Sequence, residues 1–137
     1  MAPRYAVRRI DEIPRVTDGG PHDPDWHPVQ HHLGLEAFGA NVFVAREAGQ
    51  ELVAEHDESA SGHQEFYVVV AGEVEFTLDG HTETVPAQAV VSVTEPSVVR
   101  RAVALQADTM LLAVSAPVEG RFRTTWRASH FDDVPQL

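Results

Sequence analysis

Short apolar runs broken by glycine and proline constrain the fold of this chain more than any other feature. Nine glycines and nine prolines are spread through 137 residues. The apolar runs between them are roughly four to eight residues long, which is too short for typical helices. They are rich in valine, a residue that suits a pleated, half-buried surface. The pattern therefore predicts an all-β chain.

The positions of these runs predict a set of closely spaced strands. Strands are expected over 41–46, 52–58, 65–71, 74–78, 81–85, 89–93, 98–104 and 109–116. In the run 74–78, Val74, Phe76 and Leu78 alternate with polar residues and precede an Asp79-Gly80 turn, which is typical of a hairpin. Short strands at this spacing predict a sandwich or barrel.

The chain is predicted to form one domain with three parts. Residues 1–39 form an N-terminal strand over 5–10 and an irregular arm, dense in turn formers over 17–32, that lies across the body. Residues 40–116 form the barrel. Residues 117–137 form a C-terminal tail that packs on the barrel, with Trp126 and Phe131 as its packing anchors.

Composition excludes several classes of function. Acidic residues outnumber basic ones 21 to 10, for a net charge of −11, which argues against a nucleic-acid-binding surface. An apolar run of about 18 residues is absent, and charged residues occupy the first twenty positions, so no membrane segment or signal peptide is predicted. The expected location is the cytoplasm. Because the chain has no cysteine, its chemistry must come from histidines and carboxylates.

One predicted strand, 65–71, is apolar on both faces. Its alternate residues are Tyr67, Val69 and Ala71 on one face, and Phe66, Val68 and Val70 on the other. A strand of this kind is covered on both faces. In a single small barrel the outer cover comes from the N-terminal arm or from a second subunit, and homodimers are the commonest oligomers. A homodimer is therefore expected.

Titratable residues lie in phase with the apolar residues of two predicted strands. Polar groups that point into a core are costly unless they have a role. His56 and Glu58 are in phase with one apolar face, and His63 and Glu65 with another. If the two strands are neighbours joined by the loop 59–62, these four side chains line one patch of the barrel interior. Imidazole and carboxylate groups are ligands for zinc, iron, manganese or nickel.

These residues also carry a family resemblance. The stretch 65–72, a glutamate followed seven positions later by glycine, resembles the second half of the first conserved motif of the cupins. The stretch 56–58 resembles the His-x-His pair of that motif, with Glu58 in place of the second histidine. The stretch 96–101 resembles the second cupin motif, with Val98 in the glycine place and Arg101 where the last metal-binding histidine belongs. The resemblance covers residues 40–116.

The resemblance implies a small double-stranded β-helix barrel (a jelly roll), commonly dimeric, with a central pocket. In metal-binding cupins three histidines and a glutamate hold one divalent ion, and family activities include dioxygenases, isomerases, decarboxylases, cyclases, and sugar or auxin binding. Carried over by position, His56 and Glu65 are retained, Glu58 is a substitute ligand, and Arg101 breaks the pattern. A guanidinium has no acceptor and stays protonated, so Arg101 repels a cation.

The orientation of Arg101 follows from the predicted strand around it. If Val99 and Val103 are core residues, Arg101 points inward and Arg100 points outward. Inside the barrel Arg101 pairs with Glu58 or Glu65, or holds the carboxylate or enolate of a substrate.

The favoured function is a metal-independent acid–base enzyme of the isomerase, dehydratase or cyclase type, with no cofactor. His56 or Glu65 removes a proton, and Glu58 or His63 returns one. Arg101 stabilises the negative charge that develops on oxygen. The expected substrates are small organic molecules, including anionic ones. His63, Tyr67 and Arg101 are expected to contact the substrate.

Two alternatives remain open. The first is a cupin oxygenase or isomerase that depends on one divalent ion, zinc, iron, manganese or nickel, bound by His56, Glu58, His63 and Glu65. The second is a non-catalytic ligand-binding or dimerisation module, in which the polar residues only preserve an inherited pocket. A filled barrel interior without a cavity would favour the second.

Overall fold

The structure, a computed structural model, describes residues 3–137, which form two facing antiparallel sheets. The strands are β1 (Asp25–His27), β2 (Gly39–Val44), β3 (Glu51–His56), β4 (His63–Ala71), β5 (Glu73–Leu78), β6 (His81–Pro86), β7 (Val90–Val93), β8 (Arg100–Ala104) and β9 (Met110–Pro117). One sheet has the order β1-β2-β9-β4-β7, and the other has the order β3-β8-β5-β6. A short helix α1 (Val29–Leu33) and two 3-10 turns (Ile10–Glu12 and Ala128–Phe131) complete the chain.

The core lies between the two sheets. Tyr67, Val69 and Leu111 enter it from the five-stranded sheet, and Val74 and Phe76 from the four-stranded sheet; all five are almost completely buried. The rings of Tyr67 and Phe76 meet with centroids 5.2 Å apart. Each such side chain contributes about 1.5–3 kcal/mol through burial of its apolar surface. The all-β prediction is confirmed.

All eight strands predicted over residues 41–116 are present, with small shifts at their ends. The β5–β6 hairpin turns at Asp79 and Gly80, which both have positive φ, at 49° and 80°. Two consecutive positive φ angles match the right-handed twist of a two-residue hairpin, and glycine accepts this conformation without strain.

The predicted N-terminal strand over 5–10 is wrong. This segment is not a strand of either sheet. Tyr5 and Val7 are largely exposed, and a 3-10 turn begins at Ile10. The edge next to β2 is instead taken by β1, which the sequence pattern did not predict. Helix α1, also inside the stretch predicted to be irregular, ends at Gly34 with φ 71°.

The C-terminal tail does not pack on the barrel as expected. Residues 119–137 are all exposed. Trp126 and Phe131 stack on each other, with ring centroids 6.4 Å apart and planes 9° apart, instead of anchoring the tail to the body. Val118 holds the start of the tail by donating a backbone hydrogen bond to Gly62.

The N-terminal arm covers part of the outer face of the five-stranded sheet. Ile13 is buried there, and its carbonyl lies 2.8 Å from Nδ1 of the buried His27. The arm does not cover the outer face of β4 and β7. Phe66, Val70 and Val90 remain 42%, 43% and 58% exposed. Among residues 3–137, no helix is long and apolar enough to cross a membrane.

Candidate functional site

Three of the predicted site residues meet at one end of the barrel. One ligand atom each from His56, Glu58 and Glu65 lies within 4.8 Å of the others, and we call this trio the acid–base cluster. The condition that β3 and β4 be neighbouring strands is not met, because the two strands belong to different sheets. His56 and Glu65 therefore face each other across the space between the sheets.

Both ring nitrogens of His56 face oxygen atoms that accept hydrogen bonds. Nδ1 lies 2.8 Å from the carbonyl of Ala54, and Nε2 lies 3.0 Å from Oε1 of Glu58. Nε2 is also 3.6 Å from Oε1 of Glu65. A carbonyl and a carboxylate only accept, so the imidazolium form makes both bonds and the neutral ring makes one. The two acceptors therefore fix the orientation of the His56 ring.

Glu58 is held as a carboxylate. Burial raises the pKa of Glu58, but hydrogen bonds from Ser61 and His56, together with the positive charges of His56 and His63, outweigh it and leave the pKa below its ordinary range. The Ser61 hydroxyl donates to Oε2 while His56 occupies Oε1. Glu58 is therefore a hydrogen-bond acceptor near neutral pH, which makes it a poor choice for returning a proton.

Glu65 is held from behind by two donors. Its Oε1 accepts a 2.7 Å hydrogen bond from the Tyr67 hydroxyl and a 3.2 Å bond from Nη1 of Arg100. Burial raises the pKa of Tyr67, and the adjacent Glu65 carboxylate raises it further, so the phenol stays protonated and keeps donating. Oε2 of Glu65 accepts no hydrogen bond from residues 3–137, so it is the oxygen left for a ligand.

The inward arginine is Arg100, and the prediction for Arg101 is wrong. Arg100 is 0% exposed and stands opposite His56 in the β3–β8 register. Arg101 points outward, is half-exposed, and pairs with Glu51. Arg101 therefore contacts neither the acid–base cluster nor a ligand bound beside it.

The error in register arose from two valines. Val99 and Val103 are only partly buried, whereas Ala102 and Ala104 are completely buried and in phase with Arg100. A shift of one residue moves a whole strand's side chains to the other face. The sequence signal for Arg100 was the pair of small residues in phase with it, which leaves room for a long side chain.

Two donors of Arg100 lack partners. Nε and Nη2 are buried and make no hydrogen bond within the described chain. Leaving a buried charged donor unpaired is costly, so the retention of Arg100 needs a reason. Its contact with Glu65 supplies one, because the guanidinium fixes the carboxylate and balances its charge.

His63 lies apart from the acid–base cluster, and Tyr67 lies beneath it. His63 begins β4 and is partly buried, and its charge acts on Glu58 from a distance. Tyr67 is nearly fully buried, yet it forms part of the wall of a cavity beside the cluster.

This cavity, which we call the inner cavity, has a volume of about 330 Å³. It is lined by Asn41, Phe43, Leu52, Val53, Ala54, His56, Glu65, Tyr67 and Ala113. Its volume is in the range of ordinary small-molecule sites. Two members of the acid–base cluster, His56 and Glu65, thus face space that a ligand can enter.

The donor set fits a divalent cation poorly. Three ligand groups are close enough to surround an ion, but Nη1 of Arg100 is 3.2 Å from Glu65 Oε1. An ion on Glu65 would lie a few ångström from this fixed positive charge, where repulsion between two unit charges is about 4 kcal/mol at 4 Å in a protein-like dielectric. Oε1 also already accepts two hydrogen bonds.

No protein-family model and no curated protein sequence matches the chain. Among solved structures, it is similar to an RmlC-like cupin protein from Desulfovibrio desulfuricans, with 30% identity, a TM-score of 0.52, and coverage of 60% of this chain and 74% of that one. A cupin protein from Bacteroides fragilis is 18% identical with a TM-score of 0.63, covering 90% and 98%. A sugar phosphate isomerase from a cupin superfamily of Silicibacter pomeroyi is 15% identical with a TM-score of 0.66, covering 82% and 76%. These similarities confirm the predicted double-stranded β-helix fold.

Proposed function

Since this chain belongs to the cupin superfamily, we propose that it is an acid–base enzyme that converts a small organic molecule in its inner cavity without a metal ion. One observation carries the proposal: His56 and Glu65 face the same cavity with different hydrogen-bonding environments. Acid–base catalysis commonly uses two titratable groups held in different environments on one cavity.

The roles follow from the hydrogen bonds. Glu65 removes a proton from substrate carbon through Oε2, while Tyr67 and Arg100 hold Oε1 in place. His56, whose ring is oriented by the Ala54 carbonyl, returns a proton to the substrate from Nε2, which exchanges its hydrogen bond to Glu58 for one to the substrate. Arg100 acts through Glu65 and is a positioning residue. In an isomerisation the proton returns to another atom of the substrate. In a dehydration it goes to a hydroxyl group whose C–O bond breaks and which leaves as water, and in a cyclisation it goes to the oxygen of the attacked carbonyl group.

Solvent exchange tests this proposal without knowledge of the product. Sugar phosphates and oxo acids carry a C–H bond next to a carbonyl, so each is incubated with the protein in D2O and analysed by mass spectrometry. We expect protein-dependent uptake of one deuterium into at least one compound, and loss of that uptake in Glu65→Gln. The control is Trp126→Phe, in the exposed tail. Exchange that survives Glu65→Gln would contradict the proposed base.

The proposal that the reaction needs no metal ion has a separate test. We expect no stoichiometric divalent ion by elemental mass spectrometry on tag-free protein, and no change in melting temperature on chelation. A near-stoichiometric ion whose removal lowers the melting temperature would instead favour the metal-dependent alternative, with Glu58 as a ligand.

We further propose that the protein is a homodimer in which a second copy covers the outer face of β4 and β7. Two observations support this: the face is apolar and exposed at Phe66, Val70 and Val90, and the N-terminal arm covers a different part of the same sheet.

A further inference from the structure

We propose that a second cavity, next to the inner one, is a subsite for the anionic group of an extended substrate. This inference rests on the proposed function, because it names the class of molecule that the acid–base cluster acts on. The molecule is a small organic anion, with a carboxylate or phosphate at one end and a planar or apolar body.

The second cavity, which we call the outer cavity, has a volume of about 400 Å³. It lies between the N-terminal arm, β2 and β3. Phe43, Leu52 and Ala54 line both this cavity and the inner one. The two spaces are therefore adjacent and share lining residues, and the proposal places the reacting end of the substrate beside His56 in the inner cavity.

One side of the outer cavity is aromatic and firmly held. The rings of Trp26 and Phe43 have centroids 6.1 Å apart. The indole Nε1 of Trp26 donates a 2.8 Å hydrogen bond to Oδ1 of Asn41, a residue that lines the inner cavity. Val16 fixes the arm by donating to the Trp26 carbonyl. Such a wall suits a planar or apolar body.

The other side gathers charged side chains of both signs. Nη1 of Arg15 and Nη1 of Arg46 donate to the same oxygen, Oδ1 of Asp25, at 2.9 and 3.1 Å. Glu51, which also lines the cavity, is paired with Arg101. Asp23 lines the cavity as well, and its Oδ2 accepts a hydrogen bond from the Gly20 N–H. Counting Arg101, three guanidinium groups face three carboxylates here, so an anion would be bound by unused arginine donors and not by a net positive charge.

The two arginines differ in how many donors they have left. Arg46 also donates to the carbonyls of Pro21 and Asp23, so it fixes the arm in place. Arg15 uses only Nη1 among residues 3–137, and its side chain is 56% exposed. Its remaining donors form the fork that binds a carboxylate or phosphate through two hydrogen bonds. Arg15 is thus the anion-binding residue.

Tryptophan fluorescence tests the subsite directly. The chain has two tryptophans, so Trp126→Phe leaves Trp26 as the only source of tryptophan fluorescence. In that background we titrate benzoate, phenyl phosphate and the neutral benzyl alcohol. We expect a saturable change with at least one anion, and at least tenfold weaker binding of benzyl alcohol. Comparing benzoate with phenyl phosphate distinguishes the two anionic groups.

Two arginine variants give a matched comparison. Arg15→Gln is expected to weaken binding of the anion at least tenfold. Arg9→Gln, which breaks a similar exposed arginine–aspartate pair outside the cavity, is expected to leave it unchanged. The proposal is overturned if no anion saturates, if benzyl alcohol binds as well, or if the two variants behave alike.

Failure of the subsite and failure of the proposed reaction are distinguishable. Glu65→Gln is expected to bind the anion normally while losing deuterium exchange. Anion binding that depends on Arg15, without exchange in any compound, would support the subsite and overturn the reaction. Deuterium exchange without Arg15-dependent anion binding would support the proposed reaction and overturn the subsite.

Discussion

At the scale of single residues, Arg100 and Glu65 form a buried ion pair in which each charge depends on the other. Arg100 is 0% exposed, and Glu65 is its only ionic partner among residues 3–137. Removing either partner leaves the other buried and unpaired, so we expect Arg100→Met and Glu65→Gln each to cost about 3–5 kcal/mol. The double variant is expected to cost clearly less than the sum. Urea unfolding of all four proteins measures this, and additive costs would contradict the pairing.

Glu58 makes the stability of the folded protein depend on pH in the acidic range. Because its folded pKa lies below the ordinary value of 4.5, its charged form stabilises the fold above that pH, and the stabilisation is lost as the pH falls through the folded pKa. We expect Glu58→Gln to lower the melting temperature near neutral pH, with the difference from the unmodified protein shrinking below about pH 4.5. Glu55→Gln, at an exposed position of β3 three residues earlier, is the control. A difference independent of pH would refute this role.

The predictability of the site differed between its residues. The titratable residues of β4 all fall in one phase of the strand, which placed Glu65 and Tyr67 on the inner face. Arg100 was missed because its strand has apolar residues in both phases, and small buried alanines carry a weaker signal than large valines. The hydrogen-bond partners of His56 also depend on backbone geometry that no residue pattern reveals.

At the scale of whole elements, β3 explains why the cluster forms across two sheets. Its pairing with β8 shifts register between Glu51 and Val53 and again between Val53 and His56. Leu52 and Val53 are consequently both buried, which simple alternation does not predict. The sequence pattern therefore predicted the strand. It did not predict the register shifts that place His56, or that β3 belongs to the other sheet.

The junction between β4 and β5 depends on Gly72. Its φ is 77°, and a Cβ placed there would lie 2.8 Å from the Thr109 Cα. Gly80 has a similar φ of 80° but open space around it. The Gly80→Ala variant therefore measures the cost of backbone strain alone, without steric overlap. We expect Gly72→Ala to cost at least about 1 kcal/mol more than Gly80→Ala in urea unfolding. Equal costs would show that Thr109 moves away freely.

At the scale of the whole molecule, the sequence predicted the barrel well because its alternating valines and turn residues agree with the final topology. The two ends of the chain were predicted poorly. β1 is only three residues long and depends on pairing with β2, whereas the tail has aromatic residues that pack with one another. Their conformations are decided by which surfaces remain uncovered after the barrel has formed.

The uncovered outer face of β4 and β7 leads to a prediction about assembly. An apolar face that includes Phe66, Val70 and Val90 is costly to leave in water, so we expect a dimer by sedimentation at micromolar concentration. Val70→Glu combined with Val90→Glu should give a monomer with an unchanged far-UV circular dichroism spectrum. Thr84→Glu, on exposed β6 of the other sheet, should remain dimeric. If the unmodified protein is a monomer, the proposed dimer does not exist. If the double variant still dimerises, the interface lies on another face.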